Sequence, residues 1–126
     1  MGYVFRADSP SVEDSQALEA LLECQVSLGL AFLRRYGNKV PPLYSFATYA
    51  RTNEWLPYPM IWRYKRADCK SLGPARAAEL RLQGINVKMV HRWVKRRDGG
   101  KDFHILLMVN GKVFEDPSKI CGMRDE

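Results

Sequence analysis

The stretch Ala67-Asp68-Cys69-Lys70-Ser71-Leu72-Gly73-Pro74, continued by Ala75-Arg76-Ala77-Ala78-Glu79-Leu80-Arg81-Leu82, sets a cysteine at the head of a helical run. Gln83-Gly84 closes the run, with a glycine suited to the position just past a helix end. The first N–H groups of a helix lack partners within it, and the helix dipole adds partial positive charge there. A thiol so placed is expected to favour its thiolate, the nucleophilic form. Lys70 adds to that expectation. Pro74 lies past the first turn and costs one backbone bond. Either the first turn is distorted or the regular helix begins nearer Pro74.

Downstream, residues 86–95 are rich in Val, Met and Trp with polar residues interleaved, which reads as a strand. Asp98-Gly99-Gly100 signals a hairpin turn, 103–109 is the most continuous apolar run, and Asn110-Gly111 is the strongest short hairpin dipeptide. A third strand, 112–115, ends at Asp116-Pro117. His104 sits on the second strand and Asp116 ends the third. A two-residue turn at Asn110-Gly111 pairs Val109 with Lys112 and puts His104 opposite Pro117, next to Asp116. That is within reach of a carboxylate orienting an imidazole. Thiol, base and orienting acid make a nucleophilic array of Cys69, His104 and Asp116. His91 is the rival base, with no partner nearby in the sequence pattern.

Upstream, Ser9-Pro10 opens a long helix over 10–36, or two helices with a break near Gly29. Val40-Pro41-Pro42 is a hard boundary. Residues 43–66 are aromatic and irregular, with short pieces expected at 49–55 and 59–64. Aromatics this dense are expected to wall the next helix, as core or as a groove lining. The layout is α+β: two helical segments, then an antiparallel β-meander, with one core between helix and sheet. The whole chain, 1–126, reads as a single domain, with 1–39 a helical extension and 40–123 the core.

The 126 residues carry a net charge of +6, unevenly spread. From Arg63 to Lys101 there are twelve Lys/Arg and three Asp/Glu. That half could meet nucleic acid or an acidic protein surface. Cys24, Cys69 and Cys121 form no CxxC pair, so neither zinc nor a disulfide framework is expected, and no cofactor is implied. Cys24, between Leu21 and Leu28, reads as a small core residue. No apolar run approaches the ~18 residues of a membrane span, and no signal-peptide layout opens the chain. A cytoplasmic protein is expected.

The motif set resembles the transglutaminase-like branch of the papain-like cysteine enzymes, above all the small members encoded by bacteriophages and prophages. The residues that carry the resemblance are Pro41-Pro42-Leu43-Tyr44, Glu54-Trp55, Asp68-Cys69, Arg76-Ala77-Ala78-Glu79-Leu80-Arg81, Gln83-Gly84, Phe103-His104, Glu115-Asp116-Pro117-Ser118 and Gly122-Met123. The resemblance implies a cysteine-bearing helix packed on an antiparallel sheet that carries histidine and aspartate. It implies acyl transfer through a thioester: peptide hydrolysis, deamidation or cross-linking, with a protein or peptide as substrate. Cys69 would be nucleophile, His104 base and Asp116 orienter. The oxyanion would rest on the Cys69 N–H and on a donor sought in 62–67. The family's acidic residues after the cysteine are replaced here by Lys70-Ser71, and Gly73-Pro74 interrupts its alanine-rich helix.

Two other functions compete with an enzyme. One is a catalytically quiet module of the same fold that docks to neighbouring phage structural proteins, in the virion or in the host cytoplasm. The other is nucleic-acid contact through the basic hairpin 92–101.

Overall fold

The computed structural model describes residues 3–4 and 12–124, so the Ser9-Pro10 helix start lies outside the described residues. The elements are β1 (Tyr3–Val4), α1 (Val12–Tyr36), a 3-10 turn (Gly37–Lys39), α2 (Leu43–Phe46), β2 (Thr48–Tyr49), β3 (Glu54–Trp55), α3 (Tyr58–Tyr64), β4 (Arg66–Ala67), α4 (Cys69–Leu82), β5 (Val87–Lys95), β6 (Lys101–Val109), β7 (Val113–Glu115) and α5 (Pro117–Ile120). The class is α+β, with a long N-terminal helix and an antiparallel sheet in the order β5-β6-β7.

α1 is one unbroken helix, and Gly29 has a packing role in it. It crosses α4 there: a Cβ on Gly29 would lie 2.9 Å from the Ala78 Cβ. Contrary to the sequence expectation, α1 does contain an 18-residue window long and apolar enough to cross a membrane by composition. Its stripe of Leu18, Leu22, Val26 and Leu33 is nevertheless buried within this fold. Burying four such side chains is worth about 1.5–3 kcal/mol each.

α4 begins at Cys69 and runs through Pro74 without interruption. The Gly73-Pro74 pair is explained by the sheet. A Cβ on Gly73 would sit 2.8 Å from the Ile105 side chain, so glycine is what lets β6 approach this closely. Pro74 is fully buried beside it. The missing bond is the cost of a close helix–sheet contact just after the cysteine.

The core between helices and sheet has two buried clusters, joined by Met89, which packs against both. The larger cluster joins α1, α3, α4 and the sheet through Val26, Leu33, Tyr58, Ile61, Leu72 and Leu107. The smaller one is Leu18, Leu22, Trp55 and Ile105, with Cys69 and Phe103 against it. The aromatic tract is thus mostly core, with Trp55 and Tyr58 almost sealed. Cys24 is exposed, against expectation, because it falls on the face of α1 opposite the buried stripe.

The β6–β7 register differs by one residue from the expected one. Val109 pairs with Val113, Met108 with Phe114 and Leu107 with Glu115. Asn110 and Gly111 both take positive φ, 54° and 67°, and Lys112 N–H returns to Val109 O at 3.1 Å, but Lys112 itself stays in the connection. A slip of one residue moves a whole strand to the other face. Under the expected register Asp116 and His104 would point to opposite faces; under the observed one they share a face.

Candidate active site

The start of α4 is a buried polar junction. The Asp68 carbonyl accepts the Ser71 and Leu72 N–H groups, at 3.1 and 2.8 Å. Its carboxylate does not cap the helix. It pairs with the Lys70 ammonium, and both residues are only 6% exposed. Lys70 also donates to the Thr52 carbonyl, and Thr52 N–H reaches the same carboxylate at 3.4 Å. Ser71 Oγ accepts from Leu56 N–H at 2.8 Å. Lys70 and Ser71 therefore fasten the 52–56 segment onto the helix start. Burial pushes the Asp68 carboxyl up, and Lys70 pulls it partly back. Its Oδ1 is buried with no protein partner.

His104 and Asp116 meet: Nε2 and Oδ2 are 2.9 Å apart, with both side chains largely covered. The register explains the contact. Asp116 continues β7 in extended conformation and falls diagonally from His104, a gap that a long side chain can bridge. The other Asp116 oxygen accepts the Lys119 N–H at 3.3 Å and caps α5, which fixes the carboxylate.

Cys69 comes to the same strand. Arg96 N–H bonds Gly100 O, so the even-numbered main-chain groups of β6 point at β5 and the odd ones at the β7 edge. β7 covers that edge only as far as Leu107. The Cys69 sulfur occupies the next stretch. It donates to Phe103 O at 3.9 Å and receives the Ile105 N–H, the main-chain groups on either side of His104. The thiol thus sits beside His104 but spends its hydrogen bond on the backbone. His91, the rival base, lies on the neighbouring strand opposite Ile105 and edge-on to Trp93.

The thiol is not held as a thiolate. Cys69 is partly exposed as a residue, yet burial around the sulfur and the Asp68 charge push its pKa up to about 12. Ile105 N–H and Lys70 pull it down without offsetting these. The expectation from the helix start is corrected on this point: the dipole end is outweighed by desolvation and a buried carboxylate next door.

One group near the thiol escaped the sequence reading. β2 and β4 pair in parallel, Tyr49 against Ala67, two residues before Cys69. Burial first, then the Cys69 and Asp68 charges, raise the Tyr49 phenol. It therefore stays a protonated donor, within electrostatic reach of the sulfur. Nothing in the tract distinguishes Tyr49 from its aromatic neighbours until that short pairing is known. In the 62–67 segment searched for a donor, the Lys65 and Ala67 carbonyls instead accept from Thr48 and Ala50.

Further along α4 a second polar cluster forms. Glu79 accepts Leu43 N–H at 2.7 Å and Tyr58 O–H at 2.8 Å, and pairs with Arg76 at 3.0 Å. Arg76 also pairs with Glu115 at 2.9 Å, which accepts the Tyr44 O–H. Three of the motif pieces named above thus meet in one network.

Two shallow concavities, of about 410 and 530 Å³, lie beside Arg76 and along α1, away from the thiol. Among the described residues no group of three or more His, Cys, Asp or Glu is gathered to hold a metal. At the hairpin tip, Arg96 is paired with Asp98 and Asp102, and Arg51 with Asp102. Comparison with protein-family profiles, with curated proteins and with solved structures gave no match.

Proposed function

We propose that the chain is a thiol acyl-transfer enzyme of the transglutaminase-like, papain-like kind, acting on protein or peptide amides. One observation carries the reading. The His104–Asp116 pair, closed at 2.9 Å, lies on the strand whose main-chain groups flank the Cys69 sulfur. Asp116 keeps the imidazole proton on Nε2 and leaves the Nδ1 lone pair for the thiol. A resting thiol then calls for proton transfer during attack, not a standing thiolate. The Cys69 sulfur attacks the amide carbon, and its proton passes to His104 Nδ1. The oxyanion rests on Cys69 N–H, which has no acceptor in its own helix, and on the Tyr49 hydroxyl. Collapse expels the amine, which takes the proton from His104 and leaves a thioester. Water resolves the thioester to an acid, or a second amine resolves it to a new amide.

Turnover of a peptide amide tests the array. Cys69→Ala abolishes it, and His104→Ala lowers it by about 10²–10⁴, the contribution of a positioned general base. Turnover that survives Cys69→Ala, or that is unchanged in His104→Ala, overturns the proposal.

A second reading is a quiet scaffold of the same fold, built into an assembly such as a phage particle. It is favoured by the thiol's bond to Phe103 O. It requires Cys69→Ala to leave assembly and every peptide-processing step unchanged.

A further inference from the structure

α1 buries one stripe and leaves the opposite one bare. Glu13, Ala20, Cys24, Leu28, Ala31 and Arg35 are exposed, and Ala17 is partly so. With 3.6 residues per turn these seven fall in one band centred on Cys24. Between Glu13 and Arg35 the band carries no charge. Glu23, beside it, is paired with Arg81 at 2.9 Å and, with Ser27, borders the band. The shallow concavity of about 530 Å³ runs along the band past Ala20, Cys24 and Leu28. Of the apolar window in α1, 33% is buried by the chain itself. An apolar helix face left open in this way asks for an occupant.

The order of residues along the band says which. Counting outward from Cys24 in both directions, four steps reach Ala20 and Leu28, seven reach Ala17 and Ala31, and eleven reach Glu13 and Arg35. The band complements its own reverse. A second α1 laid antiparallel sets leucine over alanine, alanine over alanine, and an acid over a base at each end. A parallel partner would set Glu13 on Glu13 and Arg35 on Arg35.

We propose that the occupant is a second copy of this chain, docked antiparallel along α1 with the two-fold axis at Cys24. The contact is isologous, so every favourable pair occurs twice. The small side chains let the helix axes approach to the near end of the usual ~8–10 Å spacing. Leu28 fills the space above Ala20 of the other copy, and the two Cys24 thiols face each other across the axis. A single helix pair is a small interface, so dissociation on the order of micromolar follows.

Sedimentation velocity of the full chain between about 5 and 300 µM reads this directly. The mass moves from 14.5 kDa toward twice that value as concentration rises. Leu28→Glu weakens association at least about tenfold, and Glu13→Arg weakens it less. The double exchange Glu13→Arg with Arg35→Glu restores it, because both ends of the pair are then reversed together. Diamide, which takes up the two thiol hydrogens, links wild-type chains through Cys24 far faster than it links Leu28→Glu chains. All three positions are exposed, and an unchanged circular dichroism spectrum checks that the variants fold. A mass that stays at 14.5 kDa throughout overturns the proposal. So does a double exchange no better than Glu13→Arg, or a wild-type chain that stays monomeric and binds phosphatidylcholine vesicles through this face. None of these readouts depends on Cys69.

Discussion

α4 carries two buried polar clusters, and they are built differently. Around Glu79 both carboxylate oxygens are engaged, by Leu43 N–H, Tyr58 O–H and Arg76, and the guanidinium reaches on to Glu115. Around Asp68 one oxygen takes both Lys70 and Thr52, and the other has no protein partner. A saturated network fixes α2, α3, α4 and β7 in one arrangement; a half-satisfied pair is costly to bury. The saturated cluster is therefore scaffold. The unsaturated one sits one residue from the thiol, where the Asp68 charge adds to burial in keeping that thiol protonated.

Substitutions can break this contrast. Glu79→Ala strands two buried donors and a guanidinium, and lowers stability by about 3–5 kcal/mol in urea unfolding. Adding Arg76→Met recovers little of it, since Leu43 and Tyr58 still lack an acceptor. The paired exchange Asp68→Leu with Lys70→Met costs less than the Glu79 pair, because both ions leave together and only the half-buried Thr52 main-chain groups lose partners. Equal losses from the two double variants would dissolve the distinction.

The next effect is on chemistry. Tyr49→Phe keeps the fold and lowers kcat by about 10²–10³, the cost of one oxyanion donor. Peptide-amide turnover unchanged by Tyr49→Phe removes the tyrosine from the site.

A smaller loss follows from Gly73→Ala. The added Cβ meets Ile105 at 2.8 Å and costs about 1–3 kcal/mol of strain. It also pushes β6 away from Cys69, so iodoacetamide reaches the thiol faster.

The last effect is set by pH. In the unfolded chain Cys69 ionises near its ordinary value of 9.0, while in the folded chain burial and Asp68 push it up to about 12. Between these values the folded state retains a proton that the unfolded state has lost. Stability is therefore intact below pH 9 and falls as pH rises toward 12. Cys121, raised to about 11 by burial and Glu79, adds to the fall up to that point. Urea midpoints of wild type drop more steeply above pH 9 than those of Cys69→Ala.

Much of the fold is legible in the sequence because local chemistry decides it. Gly84 at φ +79° ends α4, Asp98-Gly99-Gly100 turns β5 into β6, and the prolines at 41 and 42 separate α1 from the rest. Tertiary choices are not so written. Cys24 and Leu28 share a helix with Leu22 and Val26, and only the packing of α4 decides which face is covered. Gly73-Pro74 reads as a fault until Ile105 is seen against it. The site is legible in its members, His104 and Asp116, but not in its electrostatics. A helix start promises an acidic thiol, and burial of the sulfur, with a carboxylate one residue earlier, reverses that promise.

The connection between β6 and β7 has a consequence for how such a site could be lost or gained in descent. Lys112 is the extra residue that puts the histidine and the aspartate on one face. Loss of a single codon there would restore the tight two-residue turn and rotate the end of the strand by half a turn. Cysteine, histidine and aspartate would all survive in the gene, and an aligned motif would still match. The array would nonetheless be disassembled, by a change in length where no functional residue stands.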